Sequence, residues 1–265
     1  MLKQKFILDY GTQLFTFIFS FASGILVARL AGPTVLGTLA FGMSFVSMFN
    51  FLTDLGFHTA HMKLISEGQD FGKCNATFTY IKVITTFLFL TVISVYIIVQ
   101  RVFFKYRFES DAHFIVIIIW IVITALNSLN YILRTTFIAK VERAKVDLPS
   151  ALQTIFAKTF KIILAALGYG AVMLCLPNLV ALLFILPLNI YLFKKYPFSK
   201  FDKILMKKYM AYAIPVFFSI VAMSISVNID RVLLQYFTSA KQVGFYSVGL
   251  SISQPIIILG IAASG

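Results

Sequence analysis

Charge is scarce in this chain. Only 12% of its 265 residues are charged and ten are acidic, and there are one Trp, two Cys and three His. Cys74 and Cys175 lie in or beside different apolar segments, with neither a disulfide framework nor metal-ligand spacing, and read as small apolar fillers. His58 and His61 stand three apart, but His113 is predicted on the other side of a membrane and no acidic ligand completes a site. The histidines therefore read as interfacial, and no metal or other cofactor is implied. No GxxxxGK[ST] loop is present to cradle a nucleoside triphosphate, and no nucleophile stands with its base, so the pattern is not that of an enzyme. The net charge of +13 comes from basic residues scattered in short loops. They form neither an amphipathic basic helix nor an aromatic-basic platform, which excludes nucleic acid as a partner.

What is abundant is apolar surface. Sixty per cent of residues are hydrophobic, 29 are Phe, and the mean hydropathy is +0.91. Unbroken runs such as 114–125 and 179–193 exceed what a soluble core absorbs. They do not alternate polar with apolar, so the spans are helices and not barrel strands. An all-α polytopic membrane protein is expected. The start, Met1 to Lys5, resembles the basic region of a signal peptide, but the apolar run behind it is too long and no small-residue cleavage site follows. The chain stops at Ala262, Ala263, Ser264 and Gly265 inside an apolar run, and a truncated chain is expected.

The expected spans are 6–29, 36–59, 77–100, 113–136, 150–173, 179–193, 209–234 and 244–265. The sixth is short, so it should begin nearer Ala171, with Pro177 in its first turns or in a tight outer loop. Alternate loops differ in basic content. The amino terminus (Lys3, Lys5), the second loop (Lys63, Lys73), the fourth (Arg134, Lys140, Arg143, Lys145) and the sixth (six lysines, Lys194 to Lys208) hold 14. The opposite side holds five: Arg29, Arg101, Lys105, Arg107 and Lys241. Basic residues are retained on the cytoplasmic side, which puts the amino terminus there. The sequon at Asn75 would then be cytoplasmic and unused.

An internal repeat appears at a separation of 207 residues, pairing Gly37 with Gly244, Gly42 with Gly249 and Ser44 with Ser251. An even number of spans lies between the copies, so both enter the membrane in the same direction, as two halves of one transporter-like body do. The reading is a six-helix lobe over 1–193, a basic cytoplasmic linker over 194–208, and two helices of a second lobe over 209–265. The linker serves topology and attracts anionic headgroups, at about 1 kcal/mol per basic residue near the surface.

Polar residues recur at helical spacing inside the apolar spans: Thr12, Thr16, Ser20 and Ser23; Ser44, Ser47, Asn50 and Asp54; Thr124, Asn127, Tyr131 and Arg134, with Ser128 and Asn130 beside them; and Ser219, Ser226 and Asp230. Each stripe alone reads as helix packing; four together suggest a shared hydrated cavity. Lys161 is placed about eleven residues into the fifth span, too deep to be there without a reason, and is the candidate contact for an anionic group. Lys158 stands one turn earlier on the same face; it and Lys82 are expected to snorkel to the cytoplasmic interface. Asp54 and Asp230 are candidates to bind a coupling proton or sodium ion, to pair with a cation such as the adjacent Arg231, or to anchor helix ends.

The residues Gly24-Ile-Leu-Val-Ala-Arg29, Ala31-Gly-Pro-Thr-Val-Leu-Gly37 and Phe51-Leu-Thr-Asp-Leu-Gly-Phe57 resemble the polysaccharide biosynthesis flippases. So do Asn228-Ile-Asp-Arg-Val-Leu-Leu234 and Val243-Gly-Phe-Tyr246. These are O-antigen and teichoic-acid type exporters of the multidrug/oligosaccharidyl-lipid/polysaccharide (MOP) superfamily. The resemblance implies a MATE-like fold of two six-helix lobes around a cationic cavity, in a bacterial or archaeal cytoplasmic membrane. It implies movement of undecaprenyl-diphosphate-linked oligosaccharide by alternating access, with membrane lipids, a coupling proton or sodium ion, a polysaccharide polymerase and glycosyltransferases as partners. Lys161, Lys158 and Arg134 would meet the pyrophosphate or acidic sugars, and polar residues such as Asn127 and Asn130 the sugar hydroxyls. A multidrug and toxin extrusion exporter would instead favour acidic sites, and the embedded charges here lean basic. A membrane-embedded glycan polymerase or acyltransferase would need a large outer loop or a His/Asp/Glu cluster, which the stretch 101–112 does not supply.

Overall fold

In hydrocarbon each backbone N–H and C=O must be paired within its own segment, and the apolar runs accordingly fold as helices. A computed structural model describes residues 2–103 and 108–264, with side chains placed for 11–103 and 108–253. Ten helices follow in order: α1 Leu2–Met48, α2 Phe51–Asp54, α3 Phe57–Ser66, α4 Phe71–Val102, α5 Asp111–Ala139, α6 Ala144–Ala166, α7 Ala171–Phe193, α8 Lys203–Ser226, α9 Ile229–Phe237 and α10 Ala240–Ser264. No strand occurs among the described residues. Five stretches are long and apolar enough to cross a membrane: Gly11–Met48, Phe71–Val102, Asp111–Ala139, Ala171–Phe193 and Lys203–Phe237. The protein is a multi-pass membrane protein.

Helix α1 has 47 residues, about 70 Å of helix against a hydrocarbon layer of about 30 Å. It bends at Gly32, whose φ of 78° and ψ of 167° are followed by Pro33, so it forms two arms and two passes. The turns at Gly32, 108–110, 167–170 and 238–239 gather at one end of the bundle, here the Gly32 end. Those at 67–70, 140–143 and 194–202 gather at the other, the linker end. Phe41, Phe45, Phe89, Ile93 and Ile117 pack near the Gly32 end with Val232 and Val243. Phe57, Leu64, Phe78 and Ile132 pack near the linker end with Leu205, Tyr209 and Ala213 of α8. Val27, Leu39, Ile123, Ala165, Leu174 and Leu182 join α1, α5, α6 and α7.

The structure revises three expectations. The span expected over 36–59 is discontinuous. Helix ends at Met48 and again at Asp54, because Leu55 (φ 50°) and Gly56 (φ 91°) turn the chain into the left-handed region. A Cβ on Gly56 would also lie 2.8 Å from the Ala213 carbonyl oxygen, so both conformation and the close approach of α8 require glycine. The span expected over 150–173 is α6, ended by Gly168 (φ 76°), so it lies six or seven residues nearer the amino terminus. Arg134, counted as a loop residue, is inside α5. The segment 194–208, expected as a linker, is hydrogen-bonded to the start of α4. Ser199 N–H donates to the Gly72 carbonyl (3.1 Å), Asn75 Nδ2 to the Pro197 carbonyl (2.9 Å), and Asp202 N–H to Thr77 Oγ1 (3.2 Å). Asn75, the sequon residue, is buried in that contact. As expected, α7 begins at Ala171 with Pro177 in its second turn. Lys105 and Arg107, counted for the outer side, lie outside the described residues, as do the side chains of Lys3 and Lys5.

Candidate functional site

The break after Asp54 is the starting point of the buried polar cluster. A carbonyl that a continuous helix would have used internally, that of Thr53, accepts from Lys82 Nζ (2.7 Å) and Thr85 Oγ1 (3.0 Å). Discontinuous membrane helices expose backbone to ions and substrates in this way. Lys82 is 1% exposed. Its ammonium also pairs with Asp54 Oδ1 at 3.6 Å and stands 5.5 Å from the centre of the Tyr131 ring. Asp54 Oδ1 further accepts the His58 amide (3.1 Å), tying it to the first turn of α3. His58 Nδ1 and Thr135 Oγ1 are 2.9 Å apart, and the His58 ring lies 5.0 Å from that of Tyr131. Thr86 Oγ1 donates to Ser128 Oγ (2.8 Å), and Asn189 Nδ2 to Asn130 Oδ1 (2.8 Å), fastening α4 and α7 to α5.

Lys82 thus does not snorkel: its position eleven residues past the start of α4 is interior, and hydrogen bonds to a broken helix replace water there. Two of the histidines are buried within the protein. His61 is fully buried, its ring stacked on Phe78 at 4.0 Å. Its Nδ1 lies 2.6 Å from Tyr209 Oη and its Nε2 3.4 Å from Thr136 Oγ1, linking α3 to α8 and α5. His113 is buried against Thr38, Ser110 and Phe41. Cys74 and Cys175 are buried and free.

The cationic candidates are brought near one another less than expected. Arg134 is half-buried one turn from Tyr131, with its Nε unpartnered, beside the Asp54 cluster. Lys158 and Lys161 are half-buried on α6, and neither forms a hydrogen bond or ion pair among the described residues. With α6 spanning 144–166, Lys158 is three residues past the midpoint and Lys161 six. Lys158 is therefore nearer the middle of α6, and Lys161 lies toward the Gly32 end. Asn127 is half-buried; Asn130 is committed to Asn189. The stripe on the first arm of α1 reaches a groove of about 290 Å³ with α6, lined by Gln13, Thr16, Phe17, Ser20, Asp147, Ser150 and Ala151. Ser219 and Ser226 are exposed, apart from these groups.

The repeat has a direct structural expression at the Gly32 end. A Cβ built on Gly37 would lie 1.6 Å from the Ala240 carbonyl oxygen, and one on Gly244 1.9 Å from that of Pro33. Positions 33 and 240, like 37 and 244, differ by 207, so the second arm of α1 and α10 meet as equivalents across a two-fold-like seam. Around it Arg231 Nη1 donates to Ser44 Oγ (2.8 Å), the Ala240 amide to Glu109 Oε2 (2.8 Å), and Tyr246 Oη to Asp230 Oδ2. The Arg231 guanidinium does not pair with Asp230, as adjacency had suggested, because it points across to α1. Sequence reasoning missed Lys82, Glu109 and Tyr209. The Asp54-Leu-Gly-Phe57 interruption inside an apolar run was the signal for the first of these.

Ten helices, a parallel repeat and a glycine seam between equivalent segments define the class: a helical membrane protein with a transporter fold. Among solved structures the chain is similar to one described as the inward-facing conformation of a multidrug resistance MATE family transporter of the MOP superfamily. The TM-score is 0.61 at 16% identity, covering 93% of this chain and 59% of that one. The chain thus spans about 59% of that transporter's length. No curated protein matches. Residues 2–264 match the family model described as polysaccharide biosynthesis protein, and the chain belongs to that family.

Proposed function

We propose that the protein is a flippase that carries an anionic, lipid-linked oligosaccharide across the cytoplasmic membrane by alternating access. The cargo would be an undecaprenyl-diphosphate-linked repeat unit of O-antigen, capsule, teichoic or exopolysaccharide type. Family membership over nearly the whole chain supports the cargo class. The observation that carries the choice is the charge balance of the first lobe. The acid at its helix break, Asp54, is already matched by Lys82, whereas Arg134, Lys158 and Lys161 are cations without an acidic partner among the described residues. Cations held away from water favour an anion arriving from outside the chain. A pump for cationic drugs would want the reverse. Asp230, held by Tyr246 beside the seam, is the better remaining candidate for a coupling proton or sodium ion. The amino terminus is assigned to the cytoplasm, and a polymerase and glycosyltransferases are the expected partners in the membrane.

The test is translocation of a fluorescent lipid-linked oligosaccharide in vesicles holding the full-length protein. Arg134→Ala and Lys158→Ala are expected to slow it at least about tenfold, the loss of one charge-assisted contact, and Lys161→Ala less, given its position. Unchanged transport in all three would remove them from the site; export of cationic dyes in place of the glycolipid would overturn the cargo class.

A further inference from the structure

The segment joining α7 to α8 is basic, but its apolar residues are as informative. Lys194, Lys195, Lys200, Lys203 and Lys207 are all exposed. Interleaved with them, Phe198 is 58% exposed, Phe201 40% and Ile204 71%. Phe198 and Phe201 lie in the connection 194–202 and Ile204 in the first turn of α8; a solvated connection has no reason to carry two large apolar side chains outward, since each costs free energy in water.

The segment is also not a loose tether. Its backbone is hydrogen-bonded to the start of α4 through Gly72, Asn75 and Thr77, and the Phe201 ring packs 4.7 Å from that of Tyr80, itself 50% exposed. The one acid in the stretch is withdrawn from competition. Asp202 Oδ1 accepts the amides of Ile204 (2.8 Å) and Leu205 (3.2 Å) at the start of α8, and Lys73 Nζ lies 3.4 Å from Oδ2. Because α4, α7 and α8 all enter the apolar layer from this end, the segment lies at headgroup depth. There, aromatic and aliphatic side chains can enter the acyl boundary while lysines reach up to phosphates.

We propose that residues 194–208 form a docking surface for anionic phospholipid headgroups of the bilayer, anchored by Phe198, Phe201 and Ile204 and selected by the surrounding lysines. The anchored backbone means that lipid bound here braces the junction of α4, α7 and α8. The inference needs only that the chain spans a membrane, and does not depend on the transport reading.

The experiment is native mass spectrometry of the full-length protein in detergent, titrated with phosphatidylglycerol or phosphatidylcholine. The unmodified protein is expected to retain phosphatidylglycerol preferentially. Replacing Lys195, Lys200 and Lys203 together by Gln is expected to weaken that retention about 100-fold, at about fivefold per charge, while the triple Arg replacement keeps it. Phe198→Ser with Phe201→Ser is expected to lower retention of both lipids. All these positions are exposed, and an unchanged elution profile checks that the variants fold. Equal retention of the two lipids, or a Gln variant that still discriminates, would overturn the proposal. So would retention of polyprenyl diphosphate by a protein that retains no phosphatidylglycerol, which would make the segment a cargo port.

Discussion

Lys82→Met is the most informative single change in the first lobe. It keeps the length and apolar stem of the side chain and deletes the ammonium, leaving Asp54 in a mostly apolar setting with only the His58 amide as donor. Removing one partner of a buried pair costs about 3 to 5 kcal/mol. The Asp54 side chain is 25% exposed, so water recovers part of that and the lower end, about 3 kcal/mol, is expected. Thr53 is not orphaned, because Thr85 still donates to its carbonyl. The Asp54→Asn change alone leaves the better-buried ammonium short of its counter-charge, while Asn can still accept the His58 amide. Combining the two removes both charges and should return most of the loss, giving a coupling of about 2 kcal/mol. The assay is the detergent-melting temperature of all four proteins, read by fluorescence size-exclusion. A double variant that melts as low as the sum of the singles would refute the pairing and return Asp54 to the pool of ion-coupling candidates.

Tyr209→Phe removes the bond that His61 makes to α8 inside a stack with Phe78, and should destabilise by about 1 to 3 kcal/mol, visible as a lower melting temperature. Little or no change would mean that the His61–Tyr209 bond contributes little to holding α8 to α3. Gly37→Ala cannot be seated without moving α1 and α10 apart by roughly 2 Å, since 1.6 Å must become an ordinary contact. Spin labels at positions 44 and 247 should report a longer distance, and an unaltered distance would show that the seam is not closed through these glycines. Amides of Leu205 and Ile204, with Lys73 behind them, hold the Asp202 carboxylate below its ordinary 3.8. Because the folded value is the lower one, its contribution is complete above the ordinary value and fades as pH falls through the folded value. Acidification below about pH 4 should therefore loosen the start of α8, followed by hydrogen exchange at Ile204 and Leu205. Asp202→Asn should flatten that dependence.

Composition and periodicity were enough to establish a helical, multi-pass membrane protein, because burying a polar backbone in hydrocarbon leaves few alternatives and no soluble core absorbs so much apolar surface. The 207-residue repeat was equally legible, since a parallel duplication preserves its small residues wherever two backbones must touch, and Gly37 and Gly244 do touch. Helix ends were less so. The displaced start of α6 moved Lys158 and Lys161 along the membrane, because loop charges blur a hydropathy boundary but leave helical geometry intact. What only the tertiary structure decided was partnership. From sequence, Lys82 and Lys158 looked alike, two lysines in apolar helices. One meets the freed carbonyl of Thr53 and the carboxylate of Asp54, contributed by a helix broken 28 residues upstream, and the other meets no acid among the described residues. Charge pairing across a membrane interior depends on which helices are neighbours, and that is a property of the packed bundle, which no spacing along the chain encodes.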